Sequence, residues 1–357
     1  MKIKDLCSYA PKSRIKAGEA VENAKYLFFT SSADENKRYT DFQFDKEAII
    51  MGTGGNATLH YYNGKFSVST DCLVLFPNSK IKCKYLYYFF KSHMSVLEAG
   101  FKGAGLKHTN KKYIEEINVS KVPDLSTQEK IVSHLDTITE NIEKLNRELE
   151  LFDSLTKARF IEMFGRPFIN NMNWESRQIK NVVNEVKYGT SKPSVENGEY
   201  KYLRMNNLTY DGRFDLTDLK FISLDNDELE KCVVRKGDVL FNRTNSLDLI
   251  GKTADFDFDE DMVIAGYIIR IRLKETIVPK FFSMYMNTDE VKLHLRTIAK
   301  GAVNQANINA QELQGIPIYI PPIELQQQFA DFVKQVDKSR FDIKKSIIEL
   351  EREIVYD

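Results

Sequence analysis

IVSHLDTITENIEKLNRELELF, residues 131–152, decides how the chain is built. Its apolar residues Ile131, Leu135, Ile138, Ile142, Leu145, Leu149 and Phe152 advance in alternating steps of four and three. That rhythm is the narrow seam of a coiled coil rather than the wider stripe of a helix lying on a core. Ser126 followed by Glu129 predicts a capping box at the helix start, and Gly165-Arg166-Pro167 predicts its end. A second such segment closes the sequence. There Phe329, Val333, Val336, Arg340, Ile343, Ile347, Leu350 and Ile354 keep the rhythm, with Arg340 as the polar intrusion. Two seams in one chain bury each other most simply by pairing; the alternative docks each helix on its own globular unit.

On either side of these helices the second half of the chain echoes the first in order, which is the mark of a duplication. Lys25-Tyr26-Leu27 matches Lys201-Tyr202-Leu203 at an offset of 176, and AIIMGT at 48–53 matches VLFNRT at 239–244 at 191. Lys84-Tyr85-Leu86 matches Lys280-Phe281-Phe282 at 196, and Lys102-Gly103-Ala104 matches Lys300-Gly301-Ala302 at 198. The offset of 198 also pairs Pro123 with Pro321, Leu125 with Ile323 and Gln128 with Gln326. Between the long helices the pattern is mixed. Tyr61-Tyr62-Asn63-Gly64-Lys65-Phe66 predicts a hairpin with a type I′ turn between strands 57–62 and 65–70. Helices are expected at 84–98 and 280–298, and strands near 48–52, 72–76, 239–244, 263–273 and 316–320. The fold class is therefore α+β: two mixed α/β domains alternate with two long helices, which pair as an antiparallel coiled coil in a pseudo-twofold internal repeat. The expected boundaries are 1–125, 126–164, 165–322 and 323–357.

Composition narrows the function. The 357 residues carry 51 basic and 51 acidic side chains, and are 42% hydrophobic and 29% charged, as expected of a globular chain of more than one domain. The balance hides local asymmetry. Residues 80–112 hold eight lysines against the single acid Glu98, while DFDFDED at 255–261 is acidic. FSVSTDCLVLF at 66–76 and MVIAGYIIRIRL at 262–273 are too short or too charged to cross a bilayer, so no membrane partner and a cytoplasmic location are expected. Cys7, Cys72, Cys83 and Cys232 stand alone, without metal-site spacing.

Catalytic patterns fail one by one. Gly251-Lys252-Thr253 resembles the end of a phosphate loop, but Ser246 occupies the place of the required earlier glycine. Gly52-Thr53-Gly54-Gly55-Asn56 and Gly103-Ala104-Gly105 open no dinucleotide-binding βαβ unit. Pro321-Pro322-Ile323 lacks the aromatic residue of an adenine methyltransferase motif, and Pro123-Asp124 leads to adjacent Glu129 and Lys130 rather than a nuclease triad. The five histidines show no base or ligand spacing. The expectation is a recognition protein with no metal and no cofactor of its own. Loop side chains suited to base edges are Arg204, Asn206 and Asn207; Arg243, Thr244 and Asn245; and Asn304, Gln305 and Asn307. Turn capping or plain solvation could equally account for the asparagines.

Four segments then carry a resemblance. KHTNKKYIEEINVSKVPDLSTQEKIVSHLDTI at 107–138, FIEMFGRP at 160–167 followed by Trp174, KGDVLFNRT at 236–244 and KGAVNQANINAQELQGIPIYIPPIELQQQFADFVKQVD at 300–337 are, in this order, similar to the specificity (S) subunit of type I restriction-modification systems. The resemblance implies two target recognition domains, 1–125 and 165–322, each reading half of a split site on double-stranded DNA. The helices 126–164 and 323–357 would space them and bind two methyltransferase (M) subunits. Methyl transfer from S-adenosylmethionine would belong to those partners, and cleavage or translocation with ATP and magnesium to restriction (R) subunits. In the second domain the DNA-facing set is Arg204, Asn206, Asn207, Arg243, Thr244, Asn245, Lys300, Asn304, Gln305 and Asn307. The first domain departs from the pattern, with Gly52 opposite Arg243, so Thr53, Asn56, Lys102, Lys107, His108, Asn110 and Lys111 are chosen from loop position and charge. A seam of roughly 22 to 26 residues at about 1.5 Å each spans about 33 to 39 Å, close to one DNA turn, which places half-site centres about 10 base pairs apart. Three other readings stay open: a type II specificity subunit serving a fused methyltransferase-nuclease, a coiled-coil assembly protein without a DNA role, and an orphan nuclease that cuts with magnesium.

Overall fold

The computed structural model describes residues 1–119, 121–302 and 304–356; Ser120 and Val303, inside two of the segments quoted above, and Asp357 lie outside the described residues. The chain forms two units, Met1–Glu148 with Asp342–Asp357, and Leu149–Phe341. Each unit thus carries a part of both long helices.

In the first unit, β1 (Cys7–Tyr9), β2 (Tyr26–Phe29), β3 (Arg38–Tyr39), β4 (Phe44–Gly52), β5 (Leu59–Val68) and β6 (Cys72–Pro77) form one sheet in the order β1-β6-β4-β5-β2-β3. Helices α1 (Cys83–Ser92), α2 (Met94–Glu98) and α3 (Lys111–Glu116) precede the long α4 (Leu125–Phe164). The expected hairpin at Asn63-Gly64 is not there. β5 runs straight through it, with Asn63 opposite Glu47 and Gly64 opposite Lys46 of β4. The local turn preference of Asn-Gly loses to this continuous ladder. Gly64 serves another purpose: at φ +146° it lacks a Cβ, which would meet the Tyr62 ring at 3.3 Å. The actual turn is the glycine-rich stretch 53–58 between β4 and β5.

The second unit contains β7 (Glu175–Gln178), β8 (Val183–Tyr188), β9 (Tyr200–Leu203), β10 (Lys220–Ile222), β11 (Val233–Val234), β12 (Val239–Asn242), β13 (Thr244–Asn245), β14 (Thr253–Asp255), β15 (Met262–Ile264), β16 (Ile268–Leu273), β17 (Lys300–Ala302), β18 (Gln305–Asn307) and β19 (Pro317–Ile320). Its helices are α5 (Asn226–Cys232), α6 (Pro279–Met286), α7 (Asp289–Ile298), α8 (Ala310–Gln314) and α9 (Ile323–Tyr356), the last continuing into the first unit. The sheet orders β14-β12-β16-β8 and β10-β9-β15-β11 are the six-strand order of the first unit split in two. β5 is continuous, whereas β14 and β15 do its work separately. In both units the strand carrying Lys-Tyr-Leu pairs parallel, Leu27 with Phe66 and Tyr202 with Val263. The strand expected at 263–273 is therefore two, turning at Ala265-Gly266-Tyr267 from one sheet to the other. Both expected medium helices also break, at His93 and at Asn287-Thr288. Buried Asn287 commits its amide to the carbonyls of Ser283 and Thr253, closing α6.

The ladders correct the sequence alignment. Ile49 faces Leu75 and Gly52 faces Cys72, while Val239 faces Ile271 and Asn242 faces Ile268. Ile49 thus corresponds to Val239, an offset of 190 instead of 191, and Thr53, not Gly52, stands opposite Arg243. Residues 48–52 and 239–242 are buried throughout, so neither strand alternates, and a one-residue slip leaves no trace in the apolar pattern.

Gln128 and Gln326 show the duplication in atomic detail. Both are 0% exposed. The Gln128 amide donates to the carbonyls of Pro123 (2.8 Å) and Lys80 (3.2 Å), and its oxygen accepts from Lys82 N (2.7 Å). Gln326 donates to Pro321 (2.8 Å) and Thr276 (3.1 Å) and accepts from Val278 N (2.9 Å). Each glutamine clamps the start of its long helix to the segment entering α1 or α6.

The helix start differs from expectation. Asp124, not Ser126, caps α4, accepting from Thr127 N at 2.9 Å and Thr127 Oγ1 at 3.2 Å, and these bonds hold its carboxyl below the usual range. Gly165, at φ +78°, follows the last turn as expected. Within each unit the long helices run antiparallel. In the first, Leu135 and Ile138 are buried with Ile354, and Ile131, Ile142 and Leu350 pack around them. In the second, Phe160 and Phe164 meet Phe329, and Val333 joins the same core. Val336 and Ile347 are buried, while Leu145, Leu149 and Ile343 are half-buried. The intruding Arg340 is 7% exposed and donates to Leu149 O (2.7 Å) and Asp153 (2.8 Å). Arg213 joins Asp153 at 2.9 Å; burial opposes its charge, but Asp211, Asp153 and Asp337 outweigh it and raise its pKa. Among the described residues no helix is long and apolar enough to cross a membrane.

Candidate nucleic-acid interface

In the second unit the site is built on the loop 243–251. Asn242 is fully buried and closes the loop base, its N donating to Lys252 O (2.8 Å) and its O accepting from Gly251 N (3.1 Å). Its amide donates to the carbonyls of Thr244 (3.0 Å) and Tyr267 (3.1 Å) and accepts from Asn245 (2.9 Å). β13 then pairs with β18, and β18 with β17. This small sheet gathers Arg243, Thr244, Asn245, Lys300, Gln305 and Asn307, with exposed Asn304 in the turn. Thr244 Oγ1 donates to Asn307 Oδ1 at 2.9 Å. The Arg243 guanidinium lies 4.8 Å over the Tyr188 ring, reaches Gly266 O at 3.4 Å and leaves Nε without a partner. Lys300 is exposed and paired with Glu312 at 2.6 Å; burial opposes that carboxylate, but Lys300 and the Asn309 backbone outweigh it and lower its pKa.

The Arg204 cluster divides. Asn207 is 2% exposed, and its amide bonds to the carbonyls of Asp215 (2.9 Å) and Asp218 (3.2 Å) and to Arg204 N (2.9 Å). Its amide is committed to shaping the loop and is not presented for the expected base contact. Arg204 is tied to Asp218 at 2.7 Å, whereas Asn206 is exposed. Lys252 links this loop to the first by donating to Met205 O at 3.3 Å.

The first unit repeats the scheme with fewer bonds. His108 bridges both Gly54 and Lys102, Gly55 N donates to Lys107 O (2.9 Å), and Thr109 N donates to Thr53 O (3.0 Å). Thr53, Lys102, Lys107 and His108 are thereby brought together, with Asn56 exposed on the 53–58 turn. Asn110 instead caps α3, accepting from Tyr113 N at 3.0 Å, a sufficient reason for its presence. Lys111 lies 4.5 Å over the Tyr9 ring and 3.6 Å from Glu115. Sequence reasoning missed Tyr188, Tyr267, Asp71 and Leu106, which is 73% exposed between Gly105 and Lys107. Gly266-Tyr267 between two apolar strands was a turn signal that could have marked Tyr267.

It also missed Lys292, the one buried lysine among the described residues. From α7 it donates to Gly251 O at 2.7 Å, where Gly251 turns at φ +76°, and Arg296 reaches Asp248 O at 3.4 Å. The loop 243–251 is thus held on α7 by two cations. Burial, then Lys252 and Arg296, push Lys292 down to about 7. An unfolded lysine keeps its proton to far higher pH, so above pH 7 the unfolded state binds more protons and stability rises with pH. From pH 7 to 8.5 the second unit should gain up to about 1.4 kcal/mol per pH unit. Chemical denaturation at several pH values checks this, and Lys292→Met should flatten the dependence.

Among the described residues no group of three or more His, Cys, Asp or Glu is placed to hold a metal ion. The four cysteines are buried, and burial pushes Cys7 up to about 12 and Cys72 and Cys232 up to about 11, which suppresses the reactive thiolate.

Two copies of one α+β plan, each presenting a fixed polar loop cluster and carrying ends of two antiparallel helices, define an internally duplicated recognition protein. The chain belongs to the family of type I restriction modification DNA specificity domains, whose model matches residues 1–151 and 171–352. It is 20% identical over 358 residues to the type I restriction enzyme EcoKI specificity subunit of Escherichia coli K12, covering 95% of this chain and 73% of that one. It is 24% identical over 314 residues to the MjaVIII specificity subunit of Methanocaldococcus jannaschii, covering 82% and 72%. The putative MjaX specificity subunit of the same organism is 27% identical over 179 residues, which span 49% of this chain and 42% of that protein. The fold matches the crystal structure of the type I restriction-modification S subunit of M. genitalium, with a TM-score of 0.61, 16% identity and coverage of 99% and 94%.

Proposed function

We propose that this chain reads a bipartite site on double-stranded DNA, one half with each unit, and supplies address and scaffold to a type I restriction-modification complex. It performs no chemistry and binds no cofactor itself. Two M subunits transfer methyl from S-adenosylmethionine, R subunits use ATP and magnesium, and the assembly works in the cytoplasm. The observation that carries this reading is the equivalence of the two loop clusters. Thr53 N bonds Asp71 O (2.8 Å) as Arg243 N bonds Tyr267 O (2.9 Å), and Thr109 N bonds Thr53 O as Ile308 N bonds Arg243 O. The backbones match while the exposed side chains differ, as two heads reading different bases require.

Arg243, stacked on Tyr188 and otherwise held, among the described residues, only by a 3.4 Å bond from its terminal nitrogen to Gly266 O, suits bidentate contact with guanine. Arg243→Ala should weaken binding roughly 10- to 100-fold and relax selection at one position of one half-site. Selection from a randomised DNA library checks this. Equal weakening on every sequence would make Arg243 a phosphate clamp instead.

A further inference from the structure

Asp71 and Tyr267 occupy the same place in the two units. Each is a turn residue whose carbonyl is fixed by the reading loop beside it. The Asp71 carbonyl accepts from Thr53 N (2.8 Å), Thr53 Oγ1 (3.0 Å) and Ser31 Oγ (2.6 Å). The Tyr267 carbonyl accepts from Arg243 N (2.9 Å) and the Asn242 amide (3.1 Å). Their side chains are exposed, Tyr267 by 51%. The Asp71 carboxylate receives only the neighbouring Thr70 hydroxyl at 3.4 Å, and among the described residues no salt bridge engages it. A backbone held this firmly under a free side chain is the arrangement a reading residue needs.

We propose that Asp71 is a specificity residue of the first unit, accepting a hydrogen bond from the exocyclic amino group of a cytosine or adenine. The inference rests on the DNA-reading function proposed above. An exposed carboxylate beside the Thr53 loop is repelled by phosphate and by the carbonyl edges of guanine and thymine. In the major groove only the amino groups of cytosine and adenine donate to it. The charge therefore weakens binding to most sequences and favours those presenting an amino group at one position, which is selection partly by repulsion.

The test is DNA selection from a randomised library by the full chain purified with its co-expressed partner subunits, comparing wild type, Asp71→Asn, Asp71→Ala and Arg243→Ala. Both Asp71 variants should lose a preference of roughly tenfold for an amino-bearing base at one position of one half-site. They should also bind non-specific DNA two- to five-fold more tightly, as roughly expected for one fewer repelled charge. The other half-site should be unchanged, and thermal unfolding should stay near the wild-type midpoint because, apart from the long contact with the Thr70 hydroxyl, Asp71 makes its structural bonds through its backbone. Unchanged selection in both Asp71 variants while Arg243→Ala alters it overturns this inference and leaves DNA reading intact. Uniform change on all sequences also overturns it. No selected sequence with any protein, wild type included, overturns the DNA-reading function and this inference with it.

Discussion

Phe160→Ala should remove about 3 to 5 kcal/mol from the stability of the second unit, read as a lower denaturant midpoint. Phe160 of α4 is fully buried among Phe164 (5.0 Å between ring centroids), Phe281 of α6 (5.7 Å) and Phe329 of α9 (5.4 Å). Three helices distant in sequence meet on this one ring. Its removal leaves a cavity that rigid neighbours fill only partly, so the loss exceeds the transfer free energy of the missing atoms. Leu155→Ala, nearby on the same helix but 48% exposed, should stay within about 0.5 kcal/mol. Similar losses for the two variants would contradict the packing described.

Gln326→Ala should cost a comparable amount, about 3 to 5 kcal/mol, although it removes no apolar packing of note. The amide satisfies Pro321 O, Thr276 O and Val278 N in a site closed to water. Each buried group left without a partner costs about 1 to 3 kcal/mol. Gln326→Glu separates the causes, because it keeps the acceptor for Val278 N and loses the donors. Gln128→Ala should destabilise the first unit to a similar degree, since its three bonds are the same in kind. A loss below about 1 kcal/mol at both positions would show that the glutamines are bystanders of the duplication.

Much of this arrangement is legible in the sequence, and the part that is legible is the part with a period. The heptad residues from Ile131 to Phe152 and from Phe329 to Ile354 mark helices α4 and α9. The Pro-Gln matches at an offset of 198 mark two clamps whose bonds proved alike. Polar Arg340 in the seam is explained by Asp153 and the Leu149 carbonyl, which no seam pattern reveals. The misreadings have physical causes. Asn63-Gly64 carries a strong local turn preference that the β4 ladder overrides. The register of β12 against β4 was invisible because both strands are buried on both faces where they match. Asn207 and Asn110 look from composition like any exposed recognition asparagine, and only their bonds reveal a structural role. Tyr267 and Asp71 escaped because they share no residue type, only a place relative to Arg243 and Thr53.

Two units that read separate half-sites for methylating partners should leave their joint signature on the genome. Mapping methylated adenines across the genome of cells with this chain, without it, and with Arg243→Ala tests this most directly. The expected result is one motif with two defined halves and an unspecified gap, lost without the chain and altered in one half only by Arg243→Ala. An unchanged methylation pattern in its absence, or one uninterrupted motif changed throughout by Arg243→Ala, would contradict it.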